Sequence, residues 1–494
     1  MSDLHPPALF ALDGNWLDTL SFVNWTLIHI ASEWVIRLGM LFYVPQRRSA
    51  AAARAWLLLI FFFPWPGVIL YSLIGRPYLP KRRLERQQRA TRLIRELRER
   101  FVRSAHLMRP QLDETLARAV TLAERLGDFG ILGNNGVELL TDYGQSIDRL
   151  IDDIDSAQRH VHLLYYIFAD DATGRRVADA LLRAAGRGVP CRVLLDALGA
   201  QSALRRVAPG LRKAQIEVHS VLPYRIWNRN RARRDLRNHR KIAVIDGRIG
   251  YAGSQNLINA DFKHGLVYEE LVARLTGPIV GQLQAIWLVD RYLETDDPIA
   301  DDDLFPELAA AGQSPAQALP SGPGYRRANV QRSLVALVYA AKRRVVITTP
   351  YFVPDEPLAQ ALQTAALRGV EIILIASEAH DQVLVCLAQR SYYEELLEAG
   401  VRIHHYRPRF LHAKHVTIDD DVAIVGSSNI DIRSFRLNSE ISVLIYDREI
   451  VGQLARIQDG YLAQSRELSY DEWVRRPLLS KVAQNTARLV DSVL

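Results

Sequence analysis

Two kinds of apolar pattern divide the chain. Near the N-terminus the apolar residues run almost unbroken. From about Gly133 onward they switch between short continuous runs and a helical 3.6-residue period. The run Ala55–Gly75 (AWLLLIFFFPWPGVILYSLIG) carries no charge. At about 1.5 Å per residue it is just long enough, as one helix, to cross a hydrocarbon core of about 30 Å. Pro64 and Pro66 fall in its middle, remove two backbone donors and predict a kink or a re-entrant turn. An earlier apolar stretch, Thr19–Val44, contains Glu33 and Arg37. Four positions apart, they share a helix face and are expected to pair, which lowers the cost of burying them. Trp25, Trp34, Trp56 and Trp65 stand where interfacial anchors are useful.

The rest reads as alternating strands and helices. His160–Phe168 predicts a strand, Thr173–Arg187 an amphipathic helix and Val189–Asp196 an apolar strand. The same grammar returns as strand Arg344–Thr349, helix Glu356–Arg368 and strand Val370–Ile375, with equivalent glycine joints at Gly188 and Gly369. This is an internal duplication of one α/β unit. The expected division is a membrane-anchoring region over 1–80, a basic helical linker over 81–132, a first α/β lobe over 133–295, an acidic Pro/Ala/Gly-rich linker over 296–324 and a second lobe over 325–494.

Charge refines this picture. The net charge of +7 and pI near 9.3 fit an anionic partner without naming one. A dense run from Arg76 through Arg83, Arg86, Arg89, Arg92 and Arg95 to Arg103 follows the apolar region. By the positive-inside rule it places the lobes in the cytoplasm, and its spacing also suits a helix against anionic lipid or a solvated one. Arg47, Arg48 and Arg54 weaken the case for two full spans. No basic n-region precedes Trp16, so a cleavable signal peptide is not expected. Arg225–Arg240 (RIWNRNRARRDLRNHR) could read as a nucleic-acid patch or as a collar for phosphate headgroups. Cys191 and Cys386 each sit in an apolar run and read as two buried thiols in a reducing compartment. His404, His405 and His415 lack acids or cysteines at ligand spacing, so no metal is expected.

One pattern carries chemistry. His239-Arg-Lys241, Asp246 and Gly253-Ser254-Gln-Asn256 recur at identical intervals as His412-Ala-Lys414, Asp419 and Gly426-Ser427-Ser-Asn429, 173 residues later. On a strand, residues i and i+2 share a face, so each half projects one imidazole and one ammonium together. The following glycine permits close backbone approach, while Ser and Asn supply groups suited to phosphate oxygens. Two halves about a pseudo-two-fold axis give two of each. That set performs phosphodiester exchange without a metal: one neutral imidazole attacks phosphorus, the other protonates the leaving alcohol, and the lysines offset charge on the phosphoryl oxygens. Glu440 and Glu270 each head an apolar strand after a Gly-Ser-x-Asn turn and are expected to orient the imidazoles. Asp246 and Asp419 belong to the motif, yet an aspartate beside a strand turn can simply close it.

These residues resemble the phospholipase D superfamily, whose signature is the doubled His-x-Lys-x4-Asp motif. More narrowly, the chain is similar to bacterial cardiolipin synthases with an N-terminal membrane segment. Trp56-Leu-Leu-Leu-Ile with Gly75-Arg-Pro, Tyr165-Tyr-Ile-Phe, Pro350-Tyr-Phe-Val-Pro and Asn429-Ile-Asp-Ile-Arg-Ser-Phe-Arg-Leu-Asn-Ser-Glu440 carry that likeness. It implies two duplicated phospholipase D-type α/β lobes with the active site between them, behind a transmembrane or re-entrant N-terminal region in the bacterial inner membrane. It implies transfer of a phosphatidyl group between two phosphatidylglycerol molecules, giving cardiolipin and glycerol through a phosphohistidine, with no cofactor. His239, Lys241, Asp246, His412, Lys414 and Asp419 are then the catalytic set. Ser254, Asn256, Glu270, Ser427, Asn429 and Glu440 are the substrate-facing set. The family preference makes His239 the nucleophile; similar enzymes often place an Asp where this chain has Tyr268-Glu-Glu270, leaving Glu269 and Glu270 as alternatives. Expected partners are phosphatidylglycerol, other anionic phospholipids and the bilayer, with no nucleic acid. Two rivals use the same residues: hydrolysis to phosphatidic acid, and a membrane-tethered phosphodiesterase or nuclease.

Overall fold

The computed structural model describes residues 15–48, 50–75, 83, 85–87, 89, 106–223, 235–299, 302–307, 310–325 and 327–489. Residues 81, 82, 84, 88 and 90–105 of the expected basic linker and residues 225–234 of the Arg225–Arg240 run lie outside these residues. The chain forms two compact units, Met1–Tyr78 and Leu79–Leu494.

In the first unit, helices Asn15–Tyr43, Ala50–Phe62 and Pro64–Ile74 follow one another. The uncharged run is not one helix, because the prolines end the first half at Phe62 and a new helix starts at Pro64. Gly67 then packs so closely on Ile60 that a Cβ there would meet the Ile60 Cα at 2.9 Å. Arg37 pairs with Glu33 at 3.1 Å, as the spacing predicts, and its Nε donates to the carbonyl of Phe61 just before the break. Large apolar side chains, among them Trp25, Trp34, Phe42, Phe62 and Leu73, point outward. No helix among the described residues is long and apolar enough to cross a membrane.

The second unit is built on a sixteen-stranded sheet among the described residues. Its two halves repeat one strand order. In the first half Leu132–Leu140 is followed across the sheet by Val272–Thr276, Ile249–Gly253, Lys241–Ile245, Val161–Tyr165, Cys191–Asp196 and Glu217–Val221. In the second, Ser314–Ser321 is followed by Asn438–Ile445, Val422–Gly426, His415–Ile418, Arg344–Thr348, Glu371–Ser377 and Arg402–Tyr406. Leu132–Leu140 pairs antiparallel with Ser314–Ser321, so the duplicated sheets join edge to edge. Helices such as Ala172–Gly186 and Glu356–Leu367 bury their apolar faces on the sheet.

The expected linker 296–324 differs from the structure. Its last part, Ser314–Ser321, is a central strand and the counterpart of Leu132–Leu140. Its small residues and Pro315 and Pro320 mask strand character, yet it is buried on both sides by Asn438–Ile445 and Leu132–Leu140.

Candidate active site

Each half presents its histidine from a short segment between two strands rather than from within one. His239 lies between Arg237–Asn238 and Lys241–Ile245, and His412 between Phe410–Leu411 and His415–Ile418. The i and i+2 relation still holds, because each lysine Nζ donates to the carbonyl of the histidine two residues before it, at 2.6 Å in both halves.

The dipeptides ahead of the histidines cross to the other half. Arg237–Asn238 pairs parallel with Asn438–Ser439, and Phe410–Leu411 with Tyr268–Glu269. The His239 N–H donates to the Ser439 carbonyl, and that of His412 to the Glu269 carbonyl, each at 2.8 Å. This backbone exchange delivers each glutamate to the opposite histidine. His239 Nδ1 meets the Glu440 carboxylate at 3.0 Å, and His412 Nδ1 meets Glu270 at 2.6 Å. Nε2 of both rings is thereby the nitrogen left for chemistry, and both histidines line one cavity of about 320 Å³.

The glutamate alternative resolves on Glu270, since Glu269 instead accepts from the Tyr406 hydroxyl at 2.7 Å. Glu440 also accepts from Ser427 at 2.5 Å and Ser434 at 2.9 Å. The motif serines therefore hold the glutamate strands rather than the cavity. Ser427 binds Glu440 and the Ile441 N–H, and Ser254 bridges the N–H and carbonyl of Leu271. Gly253 and Gly426 make this approach feasible, because a Cβ would stand 2.5 Å from the Leu271 carbonyl oxygen and 2.3 Å from that of Ile441. Asn256 and Asn429 do line the cavity; Asn256 Oδ1 also accepts from the Ile167 N–H.

Burial governs the electrostatics. It pushes His412 down to about 4, against the pull of Glu270, and lowers His239 in the same way against Glu440. Burial also pushes Lys241 down to about 7, with Lys414 adding to the shift, and Lys414 down to about 8, while Glu440 and Glu270 oppose both shifts. For Glu270 and Glu440 burial would raise the carboxyl, but the partner imidazole and the nearby lysine outweigh it and hold both below the ordinary value. The cleft thus holds two neutral imidazoles backed by carboxylates.

Asp246 and Asp419 are not brought to the cleft. Asp246 follows Ile245, which pairs with Val161, whereas Lys241 pairs with Tyr165 at the other end of the same strand, roughly 15 Å away. Its carboxylate accepts from the N–H groups of Gln158, Arg159 and His160, and Asp419 does the same for Lys342, Arg343 and Arg344. Both have positive φ, 54° and 51°. They clamp the start of the neighbouring strand, a structural position that the motif spacing alone does not distinguish from a catalytic one. Asp246→Ala is therefore expected to cost roughly 1–3 kcal/mol of stability by orphaning three N–H groups and straining a left-handed residue. Turnover per folded molecule should change little. A thermal melt beside a single-turnover assay checks this; lost turnover at an unchanged melting temperature would place Asp246 in the chemistry instead.

Several cavity residues escaped sequence reasoning. Tyr166 packs on His239 with ring centres 4.8 Å apart, and Tyr268 meets His412 edge-on at 5.2 Å. Lys263 Nζ reaches the Asp381 carboxylate at 3.2 Å, which also accepts from Tyr268 and Tyr351, tying the rims of the two halves together. Tyr166 and Tyr351 lie inside the blocks quoted above, so a signal existed; Asp381 and Lys263 stand in no repeated pattern.

Comparison with known proteins agrees with this geometry. A family model described as "Cardiolipin synthase, PLD-like domain" matches twice, at residues 150–286 and 334–460, and one described as "Phospholipase_D-nuclease N-terminal" matches 25–76. The chain is 34% identical over 462 residues to cardiolipin synthase A of Proteus mirabilis, covering 91% of this chain and 95% of that one. It is 34% identical to cardiolipin synthase A of Pectobacterium atrosepticum, covering 94% and 96%. Among solved structures, phosphatidylserine synthase of Haemophilus influenzae superposes with a TM-score of 0.61 at 15% identity, over 77% of this chain and 100% of that one. That last likeness speaks for the fold alone.

Proposed function

The chain belongs to the cardiolipin synthase family of phospholipase D-like proteins, and from that premise we infer a phosphatidyltransferase that joins two phosphatidylglycerol molecules into cardiolipin and glycerol. The observation that carries the reading is the pair of crossed His–Glu contacts, His239 with Glu440 and His412 with Glu270, opening on one cavity.

The chemistry follows from these positions. His239 Nε2 attacks phosphorus of the first lipid, the bond from phosphorus to the glycerol oxygen breaks, and His412 delivers a proton to that oxygen. His412 has to acquire this proton on binding, and the anionic phosphodiester raises its pKa as Glu270 stabilises the imidazolium. A headgroup hydroxyl of the second lipid then attacks the phosphohistidine, gives its proton to His412 and releases His239. Total charge and atoms balance without a nucleotide-activated donor. Lys241 and Lys414 meet the phosphoryl oxygens, where fixed positive charge contributes most. His239 is the nucleophile in this reading on the family preference for the N-terminal motif, and the two crossed His–Glu pairs leave either imidazole able to take the other role.

The outward apolar side chains between Trp25 and Leu73 support a membrane anchor, with the Phe62–Pro64 break suiting a re-entrant turn. The basic residues from Arg76 onward favour a cytoplasmic face for the lobes.

The lysines set the pH response. With Lys241 at about 7 and Lys414 at about 8, kcat/KM should fall as pH rises through roughly 7 to 8, since each loses the positive charge that the phosphoryl oxygens need. A kcat/KM profile in mixed micelles checks this, and a flat profile to pH 9 would deny the lysines that role. The reading as a whole is tested by giving the detergent-solubilised protein labelled phosphatidylglycerol alone. Cardiolipin with equimolar glycerol is the expected outcome. Phosphatidic acid as the main product would make it a hydrolase.

A further inference from the structure

The cavity of about 320 Å³ has room for headgroups and phosphates but not for the four acyl chains of two diacyl lipids. Those chains have to remain in the bilayer while phosphorus is at His239, so the cavity mouth has to touch the membrane surface. The mouth is built for that contact. Phe262 and Val385 line the cavity, and beside them Val267, Val383 and Leu384 are exposed. Val383 and Leu384 form the first turn of helix Val383–Ser391.

A second element extends this surface. The C-terminal helix Leu478–Arg488 packs along Val383–Ser391 and buries Gln484 and Ala487. On a 3.6-residue helix the opposite side carries Leu478, Val482 and, one residue past its end, Leu489, with Leu479 beside them. Leu479 is 84% exposed, Leu489 81% and Leu478 74%, unusual values for side chains of this size in a globular lobe. Lys481 and Arg488, between the apolar and buried sides, tie the helix to the lobe through Glu394 and Glu395 and so hold its apolar side outward. A helix fixed with its large apolar side chains outward is the pattern of one lying in the interfacial layer of a membrane.

We propose that the cavity rim around Val383 and Leu384 and the outer side of helix Leu478–Arg488 form a bilayer-docking surface, through which the catalytic lobes sit on the leaflet that supplies their substrate. It is separate from the anchor in residues 15–75, and it rests on the lipid-transfer reading above. Its occupant is the lipid surface rather than a second copy, because the helix packs against Val383–Ser391, whose first turn borders a cavity that must open to lipid.

The test uses the full chain in proteoliposomes of phosphatidylglycerol and phosphatidylcholine, with Leu384→Asp and the pair Leu479→Asp/Val482→Asp. These side chains are exposed and outside the cavity. Each variant should lose at least ten-fold in turnover of bilayer phosphatidylglycerol while staying within two-fold of the parent on dihexanoyl-phosphatidylglycerol below its micellar concentration, which needs no docking. A fluorophore on Val482→Cys, in a Cys386→Ser background, should be quenched by nitroxide-labelled lipid. Equal loss on both substrates, or no loss on either, would overturn the proposal. So would a label shielded by self-association, seen as a change of oligomeric state in the Asp variants. If the parent made no cardiolipin from either substrate, the function would be wrong, and the quenching would still report separately on docking.

Discussion

His239→Ala and His412→Ala should each reduce cardiolipin formation by at least about 10³-fold, and the double variant should be little worse than either alone. The reason is that neither half holds a complete site. One imidazole forms the bond to phosphorus and the other handles the proton, so removing either stops the same step. Non-additivity is the informative part. If the variants' effects instead multiplied, or if one variant kept normal turnover, the halves would be acting independently and the shared-cavity account would fail. Both side chains are largely buried, against a glutamate and aromatic rings at the cavity, so the circular dichroism and melting curves of the variants should stay near those of the parent.

Glu440→Gln should lower kcat by about 10²- to 10⁴-fold with a smaller change in KM, and Glu270→Gln should do the same. An amide keeps the shape and one acceptor but removes the charge that stabilises an imidazolium. The crossed contacts sharpen this expectation. Glu440 belongs to the second half yet serves the first histidine, so Glu440→Gln and His239→Ala should be non-additive although their positions are 201 residues apart. For Glu440 a second consequence follows, because its carboxylate also accepts from Ser427 and Ser434. Ser434→Ala removes one of these and should shift the acid limb of the pH profile upward, since Glu440 then holds an imidazolium proton on His239 more firmly. Unchanged kcat in Glu440→Gln would reduce the carboxylate to a structural prop.

What the sequence revealed and what it hid have physical reasons. The duplication was legible because each half needs the same apolar strands, glycine joints and motif, so the periodicity is written twice. His239, Lys241, His412 and Lys414 were legible because their chemistry demands their types at fixed spacing. Asp246 shares that spacing for another cause: a left-handed residue whose carboxylate ties the start of a strand is as tightly constrained as a catalytic one. Strand Ser314–Ser321 was hidden, because alanines and prolines between partners on both sides need no alternation of large apolar residues. The crossing of Glu270 and Glu440 could not be read at all. It depends on two-residue strands, Arg237–Asn238 and Phe410–Leu411, that leave no periodic trace and join segments some 140 to 200 residues apart.

The most direct measurement is to trap the intermediate. Phosphatidylglycerol labelled at phosphorus is mixed with the protein, quenched within one turnover and digested under conditions that preserve phosphohistidine. The account predicts acid-labile, base-stable label on the peptide carrying His239, and none when His239→Ala is treated alike. Label on His412 would reverse the roles of the two halves. Turnover to cardiolipin with no label on either histidine would contradict the covalent mechanism itself.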